Sequence, residues 1–127
     1  MLLDTGILVE ILTSDRESSR FKDIFDEIKE ERRTISVLSL GELVDVMIRS
    51  GVDYQEPLER VKRMGDVVEM SEEISIQGAE IKNKRRREGF GNFSLMDGFI
   101  LATARTINER LITTDEDFEA LEDVIIV

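Results

Sequence analysis

The chain has 127 residues, of which 41% are hydrophobic, and a formal net charge of −11; that length and apolar content suffice for one core, so a single domain over residues 1–127 is expected. It contains no cysteine, which excludes disulfides, thiolate zinc sites and a cysteine nucleophile and fits a reducing, cytoplasmic setting. It contains no histidine either, so a serine–histidine triad and a histidine acid–base pair are excluded, and hydrolytic chemistry must rest on carboxylates, lysine, hydroxyls or a metal held by oxygen.

MLLD at the start reads as a short buried strand, with Asp4 placed to cap a helix from Thr5 onward. Phe21, Ile24, Phe25 and Ile28 recur at helical spacing. Thr34–Leu38 (TISVL) is short and rich in β-branched residues, as a strand should be. Leu40, Leu43, Val44, Met47 and Ile48 then predict a helix that stops near Gly51, and Leu58, Val61 and Met64 a shorter one after Pro57. Asp66–Met70 reads as the third strand. Ile74, Gly78 and Ile81 mark a helix that runs into Lys82–Arg87 (KNKRRR) and ends by Gly89 or Gly91. Leu95, Phe99, Ala102 and Ile107 mark the last helix, before strands at Arg110–Thr114 and Asp123–Val127. Strands alternating with helices imply a mainly parallel sheet covered on both faces, whose functional groups gather beyond the carboxyl ends of the strands. No apolar run approaches the roughly 20 residues of a membrane helix, and the N-terminus lacks the basic start of a signal peptide.

At those strand ends stand isolated acids. Asp4 is the only charged side chain in Met1–Val9, Glu42 the only one in Thr34–Val44, and Asp97 the only one in Gly91–Ala104. Asp115 follows the strand RLITT, with Asp117 two residues later. An ionised carboxylate inside an apolar stretch is costly unless it is paired, hydrogen-bonded or bound to metal. One reading is capping: Ser39–Glu42 and Ser94–Asp97 have the spacing of capping boxes, Asp4 precedes a helix, and Asp115 precedes a turn through Glu116–Phe118. The other is a shared site for a hard cation such as magnesium or manganese, which takes oxygen ligands and supports phosphodiester hydrolysis. Capping does not forbid metal binding. Lys82–Arg87, with five basic residues of six, is either the solvated end of a helix or a patch for nucleic acid on an acidic protein.

Four segments, DTGILVEIL, SVLSLGELVDVM, FSLMDGFILATAR and LITTDEDFEAL, resemble the signature segments of PIN domains, in the family's order and at its spacing across nearly the whole chain. The resemblance is closest to VapC-type toxins of toxin–antitoxin pairs. It implies a three-layer α/β/α sandwich with a mainly parallel sheet of about five strands. It also implies an endoribonuclease that cuts single-stranded or looped RNA with Mg2+ or Mn2+, leaving 5′-phosphate and 3′-hydroxyl ends. Asp4, Glu42, Asp97 and Asp115 match the family's four acids. Asp4 and Asp97 would be the direct metal ligands, and Glu42 and Asp115 would orient water or hold a second ion. Thr113 or Thr114 would support the fourth acid, and Asp117 is an outer candidate. Lys84, Arg85, Arg86 and Arg87 are candidates to guide the RNA backbone. A homodimer and a small antitoxin that blocks the acidic cleft are the implied partners, with no membrane.

One position departs from the family. Two residues after the first acid, where asparagine or serine is usual, this chain has Gly6, which cannot donate a side-chain hydrogen bond to orient a ligand. The alternative to an enzyme is therefore a PIN-like fold with lapsed chemistry that serves as a binding module. A phosphoacceptor receiver domain also gathers acids at strand ends, but this chain lacks paired acids after the first strand and a matching lysine after the last.

Overall fold

The computed structural model describes residues 1–127. In chain order the elements are β1 (Leu2–Leu3), α1 (Thr5–Thr13), α2 (Ser19–Ile28), β2 (Thr34–Ser36), α3 (Val37–Arg49), α4 (Gln55–Met64), β3 (Asp66–Val68), α5 (Glu72–Arg87), α6 (Leu95–Thr106), β4 (Leu111–Thr113), a 3-10 turn (Glu116–Phe118) and β5 (Val124–Ile126). All strand pairs are parallel, in the order β3-β2-β1-β4-β5. No helix is long and apolar enough to cross a membrane.

Strand alternation sorts the core into two halves. Leu3, Ile35 and Ile112 point to one face, where they meet Ile7 and Leu8 of α1, Ile24 and Ile28 of α2, Leu43 and Met47 of α3, and Val61 of α4. Leu2 and Leu111 point to the other, against Ile100, Leu101 and Ala104 of α6, with Ile81 of α5 packed on that cluster. The result is the α/β/α layering expected. Leu2 is in register with both Thr34 and Leu111. Two residues further along, Asp4, Ser36 and Thr113 therefore stand side by side at the carboxyl edge.

The strand order reverses between β1 and β4: the chain builds outward from β1 through β2 and β3, then returns to add β4 and β5 on the other side. A crevice opens at such a reversal because the flanking helices leave on opposite faces. Asp4 and Thr113 lie on its two lips.

The second strand is shorter than expected. Thr34–Leu38 was predicted as strand, but Val37 and Leu38 already belong to α3. The Ser36 hydroxyl accepts from the Leu38 amide at 3.1 Å and starts the helix with no intervening loop. A local cap thus overrides the strand preference of Val37. The helix stops at Gly51 and Gly89 fall as predicted, both at positive φ (70° and 104°); Gly91 lies in a turn between α5 and α6.

Helices α5 and α6 cross at Gly78 and Gly98. A Cβ on Gly98 would run into the Gly78 carbonyl oxygen, and one on Gly78 would meet the ring of Phe99 and the backbone beside it. This approach fixes α6, and with it Asp97, against α5. Gly98→Ala forces the backbones apart and is expected to lower the unfolding free energy by about 1–3 kcal/mol, as overpacking does. Denaturant titration checks it; an unchanged midpoint would show that the crossing tolerates a methyl group.

Candidate active site

Asp4 ends β1 and caps α1: its Oδ1 accepts from the Thr5 amide at 2.8 Å. Its Oδ2 accepts from the Thr113 hydroxyl at 2.6 Å, across the crevice. The same hydroxyl accepts from the Asp115 amide at 3.1 Å, so Thr113 ties the first acid to the fourth. Of the two threonines proposed to support Asp115, the hydrogen bonds select Thr113. Thr114 lies instead over Gly6, where its hydroxyl fills the space a Cβ would take.

Glu42 reaches the same place by another route. The predicted Ser39–Glu42 capping box does not form, because α3 starts three residues earlier, at Val37 with Ser36 as its cap. Ser39 is then an interior helical residue, fully buried, with a hydroxyl that has no partner. Glu42, released from capping, accepts from the Thr5 hydroxyl at 2.8 Å. Thr5 thus serves two acids, Asp4 through its amide and Glu42 through its hydroxyl. Its place beside Asp4 was the one available signal, and the sequence reading passed over it.

Asp97 does form the predicted capping box. Its Oδ2 accepts from the Ser94 amide at 2.7 Å while Ser94 Oγ accepts from the Asp97 amide at 3.0 Å. Asp115 caps the 3-10 turn by accepting from the Asp117 amide at 2.8 Å. Asp117 is half-buried, and its charge reaches Asp97.

The acids sense one another. Burial pushes Asp4 up to about 6; the bonds from Thr113 and Thr5 oppose that rise, and the charges of Glu42 and Asp97 add to it. Burial also raises Asp97 against the opposing bonds from Ser94, with the charges of Asp115 and Asp117 reinforcing it. No ion pair in the molecule includes Asp4, Glu42, Asp97, Asp115 or Asp117. Five acids at one sheet edge without a cation are short of positive charge, and their oxygens suit a hard divalent ion. No three carboxylates are arranged to enclose an ion directly. Magnesium, which keeps several waters and needs one or two direct carboxylates, matches so open an arrangement.

The basic run divides. Arg85 is buried (3% exposed), so it is not available to guide RNA as the sequence suggested. Arg86 is exposed, with its Nε donating to the Phe93 carbonyl at 2.9 Å. Lys84 and Arg87 are exposed beside Glu80 and Asn83 along a shallow hollow on α5. Elsewhere a cleft of about 440 Å3, rimmed by Arg16, Arg33, Arg60 and Arg63 over Phe21 and Phe25, includes none of the five acids.

Asp4 gives the metal-free protein a pH signature. Its folded value of about 6 lies above the ordinary 3.8, so the folded state holds the proton more tightly. The stability from that proton is complete below pH 3.8 and is lost as pH rises through about 6. At about 1.4 kcal/mol per pH unit the loss amounts to about 3 kcal/mol. In chelator, Asp4→Asn should abolish the part of this loss that falls between pH 4.5 and 7.5, about 2 kcal/mol, measured by denaturant titration at both values; parallel losses in the two proteins would refute the assignment.

The sequence matches the PIN domain family over residues 1–124. No curated protein matches it. Among solved structures, a toxin–antitoxin complex from Klebsiella pneumoniae superposes with a TM-score of 0.76 at 19% identity, covering 98% of this chain and 94% of the other. A VapBC complex from Rickettsia felis, bound to a DNA fragment from its promoter, gives 0.74 at 21% identity over 99% and 96%. A sarcin–ricin-loop-cleaving VapC toxin from Mycobacterium tuberculosis gives 0.70 at 18% identity over 94% and 92%. At these identities the likeness is one of fold.

Proposed function

Because the chain belongs to the PIN domain family, we propose that it is a metal-dependent endoribonuclease, the toxin of a toxin–antitoxin pair, acting on single-stranded or looped RNA. The observation that carries this reading is the set of five mutually repelling acids at the β1–β4 crevice with no protein cation beside them. Asp4 and Asp97 would hold the magnesium or manganese ion, and Glu42 and Asp115 would orient water or hold a second ion. When bound, the metal supplies Lewis acidity at the phosphate and lowers the pKa of water. Thr113 and Thr5 hold Asp4 in place; the Ser94 amide does the same for Asp97. Lys84 and Arg87, exposed and outside every ion pair, guide the RNA backbone.

The protein is expected to cut unstructured RNA in magnesium or manganese, to stop in chelator, and to leave 5′-phosphate and 3′-hydroxyl ends. Cleavage that persists in chelator with 2′,3′-cyclic ends would overturn the mechanism. Asp97→Asn separates metal binding from capping, since asparagine still accepts the Ser94 amide. In chelator the variant should melt no lower than wild type, because losing one charge relieves repulsion. Wild type should gain about 2.7 kcal/mol at a metal concentration a hundred times the dissociation constant. The variant should gain much less and lose RNA cleavage. Equal metal shifts in both proteins would remove Asp97 from the site.

Gly6, where the family usually has asparagine or serine, favours one second reading, a PIN-like binding module without chemistry in a larger RNA-processing assembly. Manganese titration of the wild type decides between the two, since a lapsed site binds weakly or not at all.

A small antitoxin would act by covering the acids at the crevice. The chain is expected to form a homodimer by light scattering. A small protein encoded beside it should suppress cleavage on co-expression. A monomer at high concentration removes the dimer, and undiminished cleavage removes that antitoxin.

A further inference from the structure

Arg85 sits among the exposed arginines of KNKRRR yet is buried, and its contacts run to the segment that carries the fourth acid. Its Nη2 donates to the carbonyls of Asp117 at 2.6 Å and Glu119 at 3.0 Å. Its guanidinium lies 3.6 Å above the centre of the Phe90 ring, with Phe93 at 5.7 Å and the Glu88 carboxylate 3.8 Å from Nη1. Placing a full charge in an aromatic pocket is costly when an apolar side chain would fill the space, so its hydrogen bonds define what it does there.

Those bonds hold a weak element. The Glu116–Phe118 turn is three residues long, closed by contacts of Phe118 and Glu119 amides with the Asp115 and Glu116 carbonyls at 3.3 and 2.9 Å. Ala120, just beyond it, has a positive φ of 63°. From the core side, buried Phe118 packs edge-on against Phe93 at 5.1 Å. From the α5 side, Arg85 grips the carbonyls. One residue on, Arg86 donates to the Phe93 carbonyl, next to Ser94, whose amide holds Asp97. The end of α5 thus joins the two segments that carry Asp97 and Asp115.

We propose that Arg85 is a positioning residue for the acid cluster, which sets the place of Asp115 and Asp117 relative to Asp97 through the backbone of the 116–118 turn. This rests on the metal-nuclease reading above and deepens it. Arg85 touches neither RNA nor metal; it acts by holding carbonyls.

Manganese affinity, RNA kinetics and amide exchange of residues 115–119 test the proposal in wild type, Arg85→Met and Arg85→Lys. The methionine variant fills the pocket but cannot hold the carbonyls. It should bind manganese about 10- to 100-fold more weakly, as loss of a group that orients ligands typically does. It should also lower kcat with little change in KM, and speed exchange at the Asp117 amide. The lysine variant, which can still donate to one carbonyl, should recover part of the manganese affinity and stands in if the methionine variant does not fold. A lower melting temperature with unchanged manganese affinity would make Arg85 structural only, and a raised KM with unchanged manganese affinity would make it an RNA contact; either overturns the proposal. If wild type itself binds no manganese, the nuclease reading fails, and exchange at Asp117 still decides whether Arg85 holds the turn.

Discussion

The hydrogen bond from the Thr113 hydroxyl to Asp4 Oδ2 joins residues 109 positions apart, and the arrangement of the acids depends on it. It exists because β1 and β4 are parallel neighbours with Leu2 opposite Leu111, which brings Asp4 and Thr113 level on the same face. A slip of one residue would turn every side chain of β4 to the opposite face and remove the hydroxyl. Once Asp4 is fixed, α1 starts from it, Thr5 is placed to meet Glu42, and Asp115 is bound to the same threonine. The geometry of the crevice is thus set by sheet register, which is itself enforced by the two-sided hydrophobic core.

Charge is distributed unevenly over this acidic molecule. The cluster at the crevice contains acids alone, while arginines collect around the 440 Å3 cleft and at the end of α5. Burial is the main cause of the elevated proton affinity of Asp4 and Asp97, and the charges of the neighbouring acids add to it. A group of acids that attract protons more strongly than usual also attracts other cations, which is why functional sites gather perturbed groups.

The strands, the layers and the four acids were legible because each depends on local pattern: short β-branched runs, helical spacing, and single charges in apolar stretches. The start of α3 was less so. Ser36 and Ser39 both have capping chemistry, and only the end of β2 decides that Ser36 caps, leaving Ser39 buried and Glu42 free to turn toward Thr5. Arg85 was misread for a similar reason. Its neighbours in sequence are basic and exposed, and its inward orientation follows from Phe90, just past the helix end, and from the 116–118 turn, which arrives from elsewhere in the chain. Thr113 and Thr114 are equivalent as letters; Thr113 ends β4 aimed at Asp4, and Thr114, one residue past the strand, lies over Gly6.

The crossing at Gly78 and Gly98 has a mechanical consequence. With a carbonyl oxygen of one helix seated against the α-carbon of the other, α5 and α6 cannot slide past each other without breaking contact, so they move as one rigid arm. Asp97 is fixed to that arm by its capping box. Glu42, by contrast, reaches the crevice on a longer side chain and meets Thr5 through a single hydroxyl. Asp97 therefore reaches the crevice from a wall locked by backbone contact, and Glu42 from one joined to α1 by a side-chain hydrogen bond.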